Sequence, residues 1–131
     1  MISRRTLLAL LSAAVMTGGV PPAAAVERVP FDRAAFEAAL AAGDPVLVDI
    51  YAAWCVTCRA QSKVLRALFR EPAYRAYRVF VIDYDTEKEI MRSLGATQRS
   101  TLIVFRHGVE RGRLVGDTRE VAIRALLDGG L

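Results

Sequence analysis

The chain has 131 residues, of which 53% are hydrophobic and 24% charged, and its formal net charge at pH 7 is +4. This length suits one domain with a modest core. A charge this mild does not favour nucleic acid as a partner, because phosphate binding depends on a strongly basic surface.

The N-terminal residues have the pattern of an export signal. Arg4 and Arg5 precede a short apolar run over 7–15, and Ala23-Ala24-Ala25 matches a small-residue cleavage site. The run is too short to cross a bilayer. We therefore predict an export signal peptide over 1–25, using the general secretory or the twin-arginine route, and a periplasmic protein. The alternative is an uncleaved amphipathic anchor.

Residues 26–131 form the single predicted domain. Removal of the two arginines lowers the net charge from +4 by 2, to +2. Strand and helix patterns alternate in the first half, which predicts parallel strands with right-handed crossovers, and a hairpin adds antiparallel strands near the end. The expected fold is α/β, a mixed sheet of four to five strands flanked by helices on both faces. The predicted strands lie near 26–31, 45–51, 79–82, 101–105 and 110–115. Helices are predicted after Asp32, from the cysteines onward, around Ile90, Met91 and Leu94, and after Asp117, which is expected to cap the last helix.

The two cysteines of the chain, Cys55 and Cys58, follow the second predicted strand and open a helix. Residues at this spacing on a helix lie about 5–6 Å apart, which a disulfide accepts. The helix N-terminus favours a thiolate at the first cysteine. A purely structural bond would enclose only two residues and stabilise little. The pattern therefore indicates redox chemistry.

Each cysteine has an expected role. Cys55 would attack a substrate disulfide, and Cys58, expected to be less exposed, would resolve the mixed disulfide. Asp49 interrupts an apolar strand, so burial should raise its pKa and allow it to accept the proton of Cys58. Alternatively, Asp49 is an acid satisfied by the backbone or solvent at a strand end. His107 is expected to be a solvated turn residue.

These features resemble the thioredoxin family across nearly all of 26–131. The matching landmarks are Asp49, Trp54 before the first cysteine, Gly108 in the hairpin and Gly116 before the last helix. The Val56-Thr57 dipeptide and the Asp83-Tyr84-Asp85 segment most resemble periplasmic thioredoxin-like domains of thiol–disulfide interchange reductants. The resemblance implies the fold above, with substrate contacts from Trp54, Val56, Thr57, Arg99, Ser100 and Thr101.

Two positions depart from the family pattern. Ser100 stands where the family has a cis-proline, so the peptide before it is either a costly cis bond or trans. Val81 stands where the family has a lysine facing the buried acid, which predicts proton handling by Asp49 and water alone.

We therefore predict an exported protein-disulfide oxidoreductase that favours reduction and acts as a monomer without a cofactor. Its expected partners are protein disulfides and a membrane thiol reductant that donates electrons. A metal- or iron–sulfur-binding module is the second possibility, although two cysteines supply only half of a tetrahedral site. A non-catalytic binding domain is the third.

Overall fold

The computed structural model describes residues 18–19 and 25–131. The predicted export signal lies almost entirely outside these residues. Within the described part, no helix has the length and apolar character that a bilayer crossing requires.

The described chain forms five strands and four α-helices around one sheet. The elements are β1 (Arg28–Pro30), α1 (Arg33–Ala41), β2 (Val46–Tyr51), α2 (Val56–Leu68), a 3-10 turn (Pro72–Tyr74), β3 (Arg78–Asp83), α3 (Lys88–Ser93), β4 (Thr101–Arg106), β5 (Val109–Val115) and α4 (Glu120–Asp128). The strand order is β1-β3-β2-β4-β5, with β1, β3 and β2 parallel and with β4 and β5 antiparallel to their neighbours. The predicted mixed sheet is confirmed, with all five strands.

Helices cover both faces of the sheet, as predicted. Side chains alternate along each strand, so β2 sends Val48 and Ile50 to one face and Leu47 to the other. α1 and α3 pack on the first face through Phe36 and Met91. α2 and α4 pack on the second face, where Leu65, Leu68, Ile123 and Leu127 meet Leu47, Val79, Leu102 and Val104. Two apolar cores therefore hold β2 as a central strand.

The start of α4 differs from the prediction. Asp117 accepts a hydrogen bond from the backbone N–H of Arg119 at 3.0 Å and pairs with its guanidinium, and the helix begins at Glu120. Asp117 therefore closes a local turn before the helix instead of capping it.

The sheet places the carboxyl end of β2, the amino end of α2 and the loop before β4 at one edge. Ile50 of β2 pairs with Thr101 of β4, and α2 begins five residues after β2 ends. The two cysteines and the 98–101 loop meet at this edge.

Candidate active site

Cys55 is the N-cap residue of α2, as the sequence predicts. Its backbone is extended (φ −84°, ψ 111°), and its Sγ accepts a hydrogen bond from the backbone N–H of Cys58 at 3.1 Å. One of the N–H groups that a helix start leaves unpaired thus points at the sulfur. Both cysteines are free thiols.

The two cysteines differ in exposure and acidity. Burial raises the pKa of Cys55, but hydrogen bonds from Cys58, Ser100 and Arg99 outweigh burial and bring this pKa to about 7. Burial and the neighbouring Cys55 raise the pKa of Cys58. Cys58 is 1% exposed and Cys55 4%. Cys58 is thus the less exposed of the two, as predicted. Cys55 is nevertheless less accessible than expected, so a substrate must come into close contact with the surface around it.

Ser100 lies against both sulfurs. Its Oγ is 3.2 Å from Cys55 Sγ and 3.1 Å from Cys58 Sγ. The described residues contain no cis peptide bond, so the peptide before Ser100 is trans, and Ser100 adopts a left-handed conformation with φ 56°. The site therefore holds a hydroxyl at the position where the family pattern has a proline ring.

The backbone of Ser100 is occupied within the fold. Its N–H donates to the carbonyl of Ile50 at 2.9 Å, and its carbonyl accepts from the N–H of Gly116 at 2.9 Å. The Nε2 of Gln61 donates to the same carbonyl at 3.1 Å and to the carbonyl of Asp117 at 3.0 Å. Ser100 therefore has no free backbone donor for the substrate contact that the resemblance implies.

Asp49 is buried at 1% exposure and forms an ion pair with Arg28 of β1. Burial raises the pKa of Asp49, and the positive charge of Arg28 and its hydrogen bond partly offset this rise. A cation therefore faces Asp49 although the lysine of the family pattern is absent, and proton handling by Asp49 and water stays a prediction. Asp49 makes no hydrogen bond to Cys58 within the described part of the chain.

Exposed side chains surround the thiols. Trp54 is 56% exposed and Val56 70%. The indole Nε1 donates to Asp85 at 2.8 Å, and the guanidinium of Arg99 lies 4.9 Å from the centre of the indole ring. Asp85, Arg99 and Tyr84 thus hold Trp54 in place while more than half of its side chain stays exposed.

The remaining predicted contact residues lie in different environments. Thr57 is half-buried and lines a shallow groove with Arg99, Ser100, Val115, Gly116 and Gln98. Thr101 is only 1% exposed, and its hydroxyl donates to the carbonyl of Gln98 at 2.7 Å. Because its hydroxyl braces the loop from inside, Thr101 does not belong to the surface that a substrate can touch.

Arg28 and Gln61 belong to the site although the sequence did not predict them. No sequence pattern near Arg28 marks it as a site residue, because its partner lies on another strand of the sheet. Gln61 could have been found, because it is a polar residue within the buried stripe of α2.

Two further predictions concern histidine and metal. His107 is exposed in the β4–β5 turn with φ 50°, as a solvated turn residue should be. No group of three or more His, Cys, Asp or Glu side chains in the described segments is arranged to hold a metal ion.

Comparison with known proteins agrees with this geometry. The family model named Thioredoxin matches residues 27–129. A thioredoxin from Echinococcus granulosus is 37% identical over 98 residues, which are 73% of this chain and 87% of that protein. A bifunctional thioredoxin reductase/thioredoxin from Mycobacterium leprae is 32% identical over 92 residues, which are 70% of this chain and 20% of that protein.

A solved structure has the same architecture. The crystal structure of Trxlp from Edwardsiella tarda EIB202 matches with a TM-score of 0.74 and 42% sequence identity, and the match covers 77% of this chain and 98% of that one. The chain therefore belongs to the thioredoxin family, and it is a protein-disulfide oxidoreductase with Cys55 and Cys58 as its redox-active pair.

Proposed function

We propose that this protein is an exported, periplasmic reductant of protein disulfides in which Cys55 is the nucleophile and Cys58 the resolving thiol. The observation that carries the proposed chemistry is the position of Cys55 Sγ at the start of α2, where it accepts the Cys58 N–H at 3.1 Å. The proposed location is supported by the export-signal pattern of residues 1–25. A thiol with a pKa of about 7 is substantially ionised at neutral pH while remaining a good nucleophile.

The reaction has two steps. The Cys55 thiolate attacks one sulfur of the substrate disulfide, a mixed disulfide forms, and the other substrate sulfur leaves as a thiolate. Cys58 then loses its proton and attacks Cys55, which releases the second substrate sulfur. The raised pKa of Cys58 means that this second step needs a base. Asp49, whose pKa is also raised, is the proposed base, reached through an intervening group because the two side chains share no hydrogen bond in the described residues.

The moderate acidity of Cys55 supports reduction of substrates as the proposed direction of electron flow. A strong oxidant stabilises its reduced form through a very acidic thiolate. Val56 and Thr57, which separate the cysteines, contribute no positive charge, and the pKa of Cys55 falls only to about 7. The dithiol is therefore not strongly favoured, which supports a reductant. A membrane thiol reductant is the proposed electron donor.

The proposed docking surface is the exposed rim of the thiol pair. Trp54 and Val56 offer apolar area, and Thr57 and Arg99 line the adjoining groove. Aromatic and arginine side chains are the residues that most often anchor protein interfaces. The enzyme itself is proposed to act as a monomer.

The reduction potential tests the direction. The full chain is equilibrated with glutathione or dithiothreitol buffers, and the fraction of oxidised Cys55–Cys58 is measured by alkylation and mass. A potential near about −270 mV supports a reductant, whereas a value above about −180 mV contradicts it. Cys55→Ser and Cys58→Ser are the matched variants for insulin reduction: the first should abolish turnover, and the second should accumulate the mixed disulfide.

A separate experiment tests export. The full chain is expressed in a Gram-negative host, and the periplasmic fraction is analysed by mass for a product that begins at Val26. Replacing both Arg4 and Arg5 with lysine should block export only if the twin-arginine route is used. Retention of the whole chain in the cytoplasm would contradict the proposed location.

A further inference from the structure

Ser100 combines an unusual backbone with an unusual contact. It is 4% exposed, it precedes β4 directly, and its hydroxyl is within hydrogen-bonding distance of both cysteine sulfurs. The only other non-glycine residue with positive φ in the described chain is His107, in the exposed hairpin turn. Residues held in this conformation inside a protein are strained and concentrate at functional sites.

Three hydrogen bonds hold the Ser100 backbone in place. Its N–H donates to the carbonyl of Ile50 on β2. Its carbonyl accepts from the N–H of Gly116, after β5, and from the side chain of Gln61 on α2. The hydroxyl is therefore positioned by three separate elements and not by the loop alone. Such support is what a precisely placed functional group requires.

A hydroxyl between two thiols has a specific capacity. It carries one donor and two acceptor sites, and its O–H can rotate. It can accept a hydrogen bond from the sulfur that keeps its proton while donating one to the sulfur that has lost its proton. Hydrogen bonds to charged groups are the stronger kind. The contact with Ser100 lowers the pKa of both cysteines, which is the effect of a donor.

We propose that the Ser100 hydroxyl is a catalytic group of the exchange reaction, donating its hydrogen bond to Cys55 during attack on the substrate and to Cys58 during resolution. This inference rests on the proposed function, since it assigns a role within the same two steps. The other groups that act on Cys55 are its redox partner Cys58 on α2 and Arg99 in the loop, and Arg99 does not act on Cys58 as Ser100 does.

The bonds and electrons balance without a net change at Ser100. In the first step the Cys55–substrate bond forms, the substrate disulfide breaks, and the released thiolate takes a proton from water. In the second step Cys58 gives its proton to a base, the Cys55–Cys58 bond forms, and the mixed disulfide breaks. The substrate gains two electrons and the cysteine pair loses them, while the Ser100 O–H switches its acceptor from Cys55 to Cys58.

Three variants separate the hydroxyl from the backbone. Ser100→Thr keeps a hydroxyl but adds strain, because a β-branched side chain rarely adopts positive φ. Ser100→Ala removes the hydroxyl and keeps a side chain at positive φ, whereas Ser100→Gly removes it and relaxes the backbone, because glycine adopts positive φ readily. A role for the hydroxyl predicts that the Ala and Gly variants are both slower than the Thr variant, although the Thr variant has the most strained backbone. A purely structural role predicts instead that the Gly variant is the fast one.

The readouts are the two half-reactions and the thiolate titration of the full chain. We expect Ser100→Gly to slow both attack and resolution about tenfold, as for the loss of one hydrogen bond to a charged group, and to move the Cys55 titration to higher pH. Wild-type rates and an unchanged titration in Ser100→Gly would overturn the inference. If the wild-type chain itself failed to reduce a protein disulfide, the proposed function would fail instead, so the two failures are distinguishable.

Discussion

Arg28 on β1 forms an ion pair with Asp49 on β2 although β3 lies between the two strands. The register pairs Arg28 with Val79 and Asp49 with Val81, so the guanidinium crosses β3 diagonally above two valines. These side chains are short and apolar, which leaves room for the long arginine. The family lysine at the position of Val81 is thus replaced by a cation from a different strand.

Removal of this cation should destabilise the protein in a pH-dependent way. Arg28→Met leaves Asp49 buried without its partner, and breaking a buried pair costs about 3 kcal/mol of unfolding free energy. The pKa of Asp49 in the folded protein is raised above 3.8. The free energy of unfolding therefore falls as pH rises from 3.8 to this raised pKa, and it falls further when Arg28 is removed. Urea unfolding should therefore show a small difference from wild type near about pH 4 and a large one near about pH 8.

The matched controls are Asp49→Asn and Arg78→Met. The double variant Arg28→Met with Asp49→Asn should regain most of the stability at high pH, because no buried charge remains. Arg78 is 56% exposed and 3.9 Å from Asp44, so its removal should cost little at any pH. A loss at Arg28 that does not depend on pH or on Asp49 would contradict the ion-pair explanation.

The acidity of Cys55 predicts its reactivity with an alkylating reagent. The rate of reaction with iodoacetamide should rise with pH and reach half its maximum at about pH 7, where the thiol is half ionised. Cys58 should stay largely unmodified in this range, because its pKa is raised and it is 1% exposed. Peptide mass analysis after timed alkylation distinguishes the two sites.

The unfolded chain is the control for this titration. In concentrated urea the hydrogen bonds to Cys55 are lost, so the midpoint should return towards its ordinary value of 9.0. Similar midpoints in the folded and unfolded chain would show that the N-cap position does not activate Cys55.

The fold and the thiol pair were predictable because their signals are local. Each of these patterns can be recognised within a short stretch of sequence: the period of a strand or helix, the Cys55–Cys58 spacing, and the apolar neighbours of Asp49. Element order then restricts the topology, since parallel crossovers have one hand. Both ends of β2 and the start of α2 agree with the prediction to within a few residues.

The partners of the site residues were not predictable, because they depend on strand order and loop conformation. Arg28 and Asp49 are 21 residues apart in the sequence. They can pair only because β3 lies between β1 and β2 and presents small side chains that the arginine can pass over. The sequence shows a serine at position 100 but not its positive φ, which directs the hydroxyl to both sulfurs. A left-handed serine has no propensity signal of its own.

Gln61 should stabilise the loop that carries Ser100. Its Nε2 bridges the carbonyls of Ser100 and Asp117, and its side chain is 1% exposed. Gln61→Leu leaves the Asp117 carbonyl without this donor, so we expect a loss of about 1–3 kcal/mol in unfolding free energy and slower resolution by Cys58. Gln98→Leu, at an exposed position in the same loop, is the control and should unfold like wild type. Equal stability of the two variants would contradict a bracing role for Gln61.

Trp54 should contribute to protein substrates but not to small disulfides. Its exposed indole packs edge-on against Tyr84, with ring centres 6.3 Å apart, and Arg99 covers part of its face. Trp54→Ala removes this apolar area, so we expect KM for insulin to rise about tenfold, the upper range for a lost aromatic contact. The rate with a small aromatic disulfide should change little, because Cys55 keeps its bond to the Cys58 N–H.

Val109→Ala, also exposed at 54% but beside the hairpin turn at the other end of β4, should leave both values unchanged. If Trp54→Ala lowered the rate with insulin and the rate with the small disulfide equally, the indole would instead act on the thiolate itself.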